Sequence, residues 1–536
     1  MSHHDRGKAD THMNSVRNIL FIMCDQLRWD YLSCTGHPCL KTPNIDRLAS
    51  MGVRFDRAFV QSPVCGPSRA SYYTGRTAFS HGATWNFVPL PIGELTIGDY
   101  LAPKGVRVAV AGKTHFRTDV DGMARLGLTR DTEIGLKVSE GGFEPWERDD
   151  GEHPDPILSP TLPYNAYLRA HGYEGANPWN EFANAAEGPD GEILSGWQMR
   201  HSHLPARVKE EHSETAYITN RAMEFMDAAG DAPWLMHLSY IKPHWPYMAP
   251  APYHAIYGKA DLLPRNATAA EQASTHPVYQ AFMGMDAASS FARDEVRETV
   301  MPTYMGLIKQ IDDHLGRVFA MLEEKGLMKD TMIVFTSDHG DYLGDHWLGE
   351  KELFHDASVR VPLIIYDPDS AADATRGTVC DKLVEAIDLV PTFMEAHGMA
   401  PAYHRLEGRS LLPILRGEDV GEWRDFVFSE LDYSFYKARL TLGRTPAQCR
   451  IFMVRNDRWK YIHYTGYRPQ LFDLQEDPDE VRDLGESADH AQVRETMRTK
   501  LFDRLMARRN RVTVTDEQVE ARTNGARSHG VIIGEW

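Results

Sequence analysis

Four short apolar runs punctuate the chain: Asn18 to Met23, Val106 to Ala111, Trp234 to Tyr240 and Thr331 to Thr336. Each is too short for a buried helix, three of the four are rich in β-branched residues, and helix-like segments lie between them. That pattern predicts buried parallel strands in an α/β sandwich. Each run ends in polar, titratable residues: Asp25-Gln26, Lys113-Thr114-His115, Lys242-Pro243-His244 and Asp338-His339. Ligands of open α/β sheets bind outside the carboxyl ends of the strands, so segments far apart in sequence are expected to converge on one crevice.

Around this core, the stretch from about Phe116 to Asp231 is rich in Pro, Gly and acidic residues and weakly periodic. It reads as an insertion of loops and short helices that shapes a pocket. From Arg450 the pattern changes. Ile451 to Arg455, Trp459 to Tyr464 and Gln470 to Leu474 predict a small antiparallel meander with a turn at Asn456-Asp457. A helix is expected over Asp489 to Arg509, with Leu501, Leu505 and Met506 on one face. The expected organisation is a polar leader (1–16), a catalytic α/β domain (17–440, with the insertion at 116–231), a C-terminal sheet-and-helix subdomain (441–510) and a tail (511–536). The tail ends in an apolar cluster, Val531-Ile532-Ile533, whose burial predicts a homo-oligomer, a dimer or tetramer.

Composition narrows the function. The 536 residues are 42% hydrophobic and 25% charged, which fits a folded globular protein and excludes wholesale disorder. A formal charge of −18 argues against a nucleic-acid partner. No apolar run approaches the ~20 residues needed to span a bilayer, so no membrane partner is expected. The first sixteen residues lack the apolar region of a secretory signal, which predicts a cytoplasmic location. Six scattered cysteines do not make a disulfide framework and are expected to be thiols.

The most informative segment is Cys65-Gly66-Pro67-Ser68-Arg69, followed by Ala70-Ser71-Tyr72-Tyr73 and Thr74-Gly75-Arg76. It resembles the C-x-P-S-R, four residues, T-G-R signature of the type I sulfatases of the alkaline phosphatase superfamily. Thr42 to Leu48, Ser358 to Leu363, and Leu471 to Leu474 with Asp477-Pro478 look like that family too, so the resemblance runs from about residue 17 to 485. It implies a three-layer α/β sandwich with a mostly parallel central sheet and a small antiparallel C-terminal sheet. It also implies that a formylglycine-generating maturation enzyme oxidises Cys65 to Cα-formylglycine. One hydroxyl of the hydrated aldehyde then attacks sulfur to give a covalent sulfo-enzyme, and the second is deprotonated to expel sulfate.

The resemblance further implies that Asp25, modified Cys65, Asp338 and His339 bind one divalent metal ion, with Gln26 a further ligand or its support. An imidazole in that set admits Mn²⁺ or Zn²⁺ beside Ca²⁺. The Asp-Gln and Asp-His pairs look like those of choline sulfatases and phosphonate monoester hydrolases. Arg69 would hold the nucleophile and metal shell. Lys113, His244 and Lys351 match positions that contact the sulfate and the leaving-group oxygen, with His244 or Lys351 as general acid. His115 matches the base for the second hydroxyl. Asn86 corresponds to a substrate-binding asparagine of the phosphonate hydrolases. Trp245-Pro246-Tyr247 is either core filler or an apolar wall for the leaving group. Cys34 to Cys39 lacks a second ligand pair and reads as a plain loop. The expected activity is hydrolysis of small-molecule sulfate monoesters of arylsulfatase type, because Gly-Lys-x-His at 112–115 is the sulfatase form; the alternative is a phosphonate monoester or phosphodiester hydrolase with the same nucleophile.

Overall fold

The computed structural model describes residues 16–154, 162–273, 276–531 and 534. Its strands are β1 (Asn18–Asp25), β2 (Val53–Phe59), β3 (Arg107–Gly112), β4 (Glu144–Arg148), β5 (Ala185–Glu187), β6 (Ile193–Ser195), β7 (Trp234–Pro243), β8 (Thr331–Ser337), β9 (Arg360–Tyr366), β10 (Thr378–Cys380), β11 (Val384–Glu385), β12 (Val427–Asp432), β13 (Arg450–Arg455), β14 (Trp459–Tyr464) and β15 (Gln470–Asp473). The main sheet runs β10-β2-β9-β8-β1-β7-β3-β4, with β11 beside β2. Its pairings are parallel except those of β9. The four predicted strands are therefore contiguous, in the order β8-β1-β7-β3, and their carboxyl ends lie side by side.

Every residue of β1, β7 and β8 is buried, as expected for strands covered on both faces. Alternation along β1 assigns each residue to a layer: Ile19, Phe21 and Met23 pack in one core cluster, Leu20, Ile22 and Cys24 in the other. Tyr72 of the helix Cys65–Thr74 and Phe393 of the helix Leu389–Ala396 belong to the first cluster. The helices Glu214–Ala228 and Asp294–Glu324 fill the second through Ile218, Phe225, Tyr304 and Ile308. The result is a three-layer sandwich. Segment 116–231 contributes the edge strand β4, the β5–β6 ribbon and the sheet-covering helix Glu214–Ala228 as well as loops.

A separate four-stranded antiparallel sheet, β12-β13-β14-β15, forms the C-terminal unit. The helix Ala491–Met506 packs against it through Met497 and Leu501, with Val493 and Leu505 partly buried. Met506 instead faces solvent, 68% exposed. The buried stripe is the i, i+4 row 493-497-501-505, and one residue further turns the side chain by about 100°. Ile532 and Ile533, which complete the apolar C-terminal cluster, lie outside the described residues. No helix among the described residues is long and apolar enough to cross a membrane.

Candidate active site

Cys65 is the first residue of its helix and is 1% exposed. The next residue has to be glycine. The Gly66 N–H donates to Asn86 Oδ1 at 2.8 Å, and a Cβ at Gly66 would stand 3.0 Å from the Asn86 Cα. Asn86 thus braces the turn that presents residue 65.

The end of β1 and the exit of β8 bring Asp25, Asp338 and His339 to Cys65, with one donor atom of each within 4.8 Å of the others. The Cys65 Sγ is 3.1 Å from His339 Nε2 and 3.8 Å from Asp25 Oδ1. His339 directs Nδ1 to the Gly340 carbonyl at 2.8 Å. That contact fixes the tautomer with the proton on Nδ1 and leaves the Nε2 lone pair facing the cluster, the arrangement in which imidazole binds metals. Burial pushes the His339 imidazole down to about 4, so it is neutral at physiological pH. Burial, then the Asp25 charge, pushes the Cys65 thiol up to about 12, so the unmodified thiol is a poor nucleophile. Two carboxylates and a neutral imidazole around residue 65 fit a divalent cation.

Two buried cations balance the carboxylates. Arg69 is fully buried; its Nε donates to Asp338 Oδ2 at 2.7 Å, and Nη2 lies 3.4 Å from Asp25 Oδ2. Its Nη1 donates to the Lys113 carbonyl and to Ser239 Oγ, both at 2.7 Å, which ties the exits of β3 and β7 to those of β1 and β8. Lys113 Nζ sits 2.8 Å from Asp25 Oδ2. Desolvation opposes charge on Asp25, yet the Lys113 and Arg69 charges hold its carboxyl well below the ordinary range. Asp25 and Asp338 are thus matched by Arg69 and Lys113, and Lys351 adds a further buried cation.

The remaining predicted groups surround this centre. Lys351 Nζ donates to Gln26 Oε1 at 3.0 Å and to His244 Nε2 at 3.3 Å, while His244 Nδ1 faces the Trp245 carbonyl at 2.7 Å. Gln26 turns its amide toward Asp341, Tyr247 and Lys351, and its backbone N–H donates to Asp338 Oδ1 at 3.1 Å. His115 lies beyond Lys113 with φ 50°, and its backbone N–H is held by Asp150 Oδ1 at 3.0 Å. Glu152 Oε1 reaches both Lys113 Nζ, at 3.5 Å, and His115 Nδ1, at 4.0 Å. Non-glycine residues in the left-handed region flank the site: Gln26 and His115 follow strands, and Glu350 and Glu352 stand on either side of Lys351. Such strain persists only where the surroundings over-determine it.

Residues 17–399 match the family model described as Sulfatase, and residues 344–507 match N-sulphoglucosamine sulphohydrolase, C-terminal. The chain belongs to the sulfatase family. It is 33% identical over 521 residues to the multifunctional alkaline phosphatase superfamily protein PehA of Trinickia caryophylli, covering 91% of this chain and 95% of that protein. An arylsulfatase of Clostridium perfringens is 25% identical, covering 92% and 95%. Among solved structures, the phosphonate monoester hydrolase SpPMH of Silicibacter pomeroyi superposes with a TM-score of 0.81 at 28% identity, covering 94% of this chain and 98% of that one. Sulfate ester hydrolysis is the activity that this membership supports at the level of the family, which also implies a metal ion and formylglycine.

This sulfatase-family site also contains groups that the strand-exit reasoning does not reach. Asp150 and Glu152 follow β4, whose sequence Glu144-Pro145-Trp146-Glu147-Arg148 carries a proline and three charges and reads as no core strand. Asp341 and Ser239 bond Gln26 and Arg69 and carry no motif of their own, while Tyr247, singled out in the sequence as core filler or pocket wall, bonds Gln26 and Asp341.

Proposed function

We propose that this enzyme hydrolyses sulfuric monoesters of small alcohols and phenols, in the manner of an arylsulfatase, with a hydrated formylglycine at position 65 as nucleophile and one divalent ion, Ca²⁺, Mn²⁺ or Zn²⁺, held by Asp25, residue 65, Asp338 and His339. The observation that carries the reading is the ring of two buried cations, Lys113 and Lys351, and two buried neutral histidines around residue 65. When bound, the dication polarises the ester oxygens and lowers the pKa of the nucleophile. Arg69 fixes the two carboxylates. Asn86 and Lys113 take the non-bridging sulfate oxygens. The reading includes a maturation enzyme that acts on Cys65 and a homo-oligomeric state.

Proton transfer divides between the two histidine–lysine pairs. His244 accepts from Lys351 and directs Nδ1 to a carbonyl, so the proton for the departing oxygen resides on Lys351. Desolvation acts against the Lys351 ammonium, but the surrounding negative groups raise its pKa above that of an ordinary lysine and keep it charged. Lys351→Ala is expected to slow an ester of a poor leaving group, such as phenol, by about 10²-fold more than an ester of 4-nitrophenol, since general acid catalysis typically contributes 10²–10⁴-fold. An equal loss for both esters would remove Lys351 from this role.

His115 has to be unprotonated to accept the second proton. Burial, then the neighbouring Lys113 charge, pushes its imidazole down to about 4. The acid limb of the kcat pH profile is therefore expected near pH 4 instead of the ~6.5 of a free histidine. Activity falls as pH drops through that value. Lys113→Met removes a repelling charge and should move the limb upward. A wild-type limb near 6.5 would contradict this assignment.

A second reading, phosphonate monoester hydrolysis, is favoured by the likeness to PehA and SpPMH. Both substrates present a singly charged tetrahedral centre. Comparing kcat/KM for 4-nitrophenyl sulfate and 4-nitrophenyl phenylphosphonate decides between them. Sulfate is expected to be preferred, and a ratio strongly favouring the phosphonate selects the second reading.

A further inference from the structure

Behind the Lys351–His244 pair lies a cavity of about 250 Å³ lined by Trp197, Met199, Trp245, Tyr247, Phe291 and Glu350. Three connections join it to the reacting centre. Trp245 follows His244, and their rings pack at 4.2 Å. Glu350 directly precedes Lys351. The Tyr247 hydroxyl meets Gln26 Nε2 at 3.3 Å, and Gln26 is the acceptor for the Lys351 ammonium. The wall of the cavity therefore touches the pair from which the departing oxygen would receive its proton.

Its wall is apolar and aromatic: Trp197 and Trp245 pack at 5.3 Å, and Phe291 closes one side. Two polar atoms in this wall have no protein partner. Trp245 Nε1 is buried without a hydrogen bond. The half-buried Glu350 carboxylate makes no hydrogen bond or ion pair among the described residues, and its backbone is held at φ 59°. Desolvation raises its pKa, and the neighbouring Lys351 charge offsets this only in part. Unsatisfied polar groups on a concave aromatic surface are the exceptions that a ligand completes. Two indole faces beside one carboxylate suit an organic cation, through cation–π attraction and charge pairing together.

We propose that this cavity receives the alcohol part of the ester, and that Glu350 selects an alcohol carrying an ammonium group. The assignment rests on the reading of residue 65 as the ester-cleaving centre. The volume is just below the ~300 Å³ at which pockets for drug-sized ligands begin, so it takes a compact alcohol: one substituted ring or a short branched chain. Met199 gives the wall some adaptability.

The test uses two matched leaving groups, 4-(aminomethyl)phenol and 4-ethylphenol, each as its sulfate and as its phenylphosphonate ester. The ammonium member of each pair is expected to have the higher kcat/KM, by about tenfold. Glu350→Gln should bring that ratio at least fivefold closer to one, and the comparison of variant with wild type cancels the intrinsic reactivity of the two phenols. Trp197→Ala should raise KM for both members. An ammonium-to-ethyl ratio that Glu350→Gln leaves unchanged would overturn the proposal. Should the variant fail to fold, competitive inhibition of the wild type decides: benzylammonium is expected to bind more tightly than benzyl alcohol, and equal binding rejects the site. A preference that survives on the phosphonates while the sulfates are inert would leave the alcohol site standing and remove the sulfate reading.

Discussion

Cys65→Ala is expected to lower kcat/KM at least ~10³-fold for every ester the wild type cleaves, because a nucleophile cannot be replaced by its neighbours. The fold should be nearly indifferent. Removing one buried Sγ deletes a small volume, and the thiol sits on a frame held by other contacts, so the stability change is expected within about 1 kcal/mol. Steady-state kinetics and urea unfolding of the same preparation check both halves. Intact-mass analysis of the wild type should show the deficit expected when CH₂–SH becomes an aldehyde. Activity retained by the alanine variant, or a fully active wild type carrying an unaltered thiol, would remove residue 65 from the chemistry.

Arg69→Ala should do the reverse and damage the structure as much as the activity. The guanidinium is completely buried and pairs with two buried carboxylates while bonding the Lys113 carbonyl and Ser239. Deleting one member of a buried ion pair typically costs ~3–5 kcal/mol, because it leaves uncompensated charge in a low-dielectric interior. Against a typical net stability of ~5–15 kcal/mol, that is a large fraction. A marked fall in the urea midpoint is expected, together with loss of turnover. Arg69→Lys should recover only part of either, since an ammonium cannot reproduce the planar fork that reaches four acceptors. An unchanged midpoint for Arg69→Ala would show that the strand exits are tied by something else.

The sheet and the centre of the site were legible in the sequence for one reason. β1, β3, β7 and β8 are almost wholly buried and so are written as nearly continuous apolar runs, and each is followed by polar, titratable residues at its carboxyl end. The contiguity of the four strands was not legible, because strand order is decided by crossovers that local pattern does not encode. Glu152 escaped because β4 is an edge strand, where charge and proline are tolerated and the apolar signal disappears. Gln26 shows another limit: the type of residue was informative, but its partners Asp341 and Tyr247 come from segments with no periodicity. Glu350 and Trp197 lie 153 positions apart and meet only through tertiary packing. The C-terminal helix was placed correctly in outline, yet Met506 was assigned to its inner face, because hydrophobicity alone does not fix the phase of a short amphipathic helix.

The distance along the chain between the two halves of the site sets a clock. Cys65 and His339 are separated by 274 residues, and the thiol is enclosed only once β8 has taken its place beside β1. At the ~5–20 residues per second of polypeptide synthesis, the ribosome needs roughly 14–55 s to make that intervening stretch. In the folded chain Cys65 is 1% exposed, so the maturation proposed for residue 65 would have to act within this interval. The yield of converted protein should therefore follow translation speed, rising when elongation downstream of residue 65 is slowed.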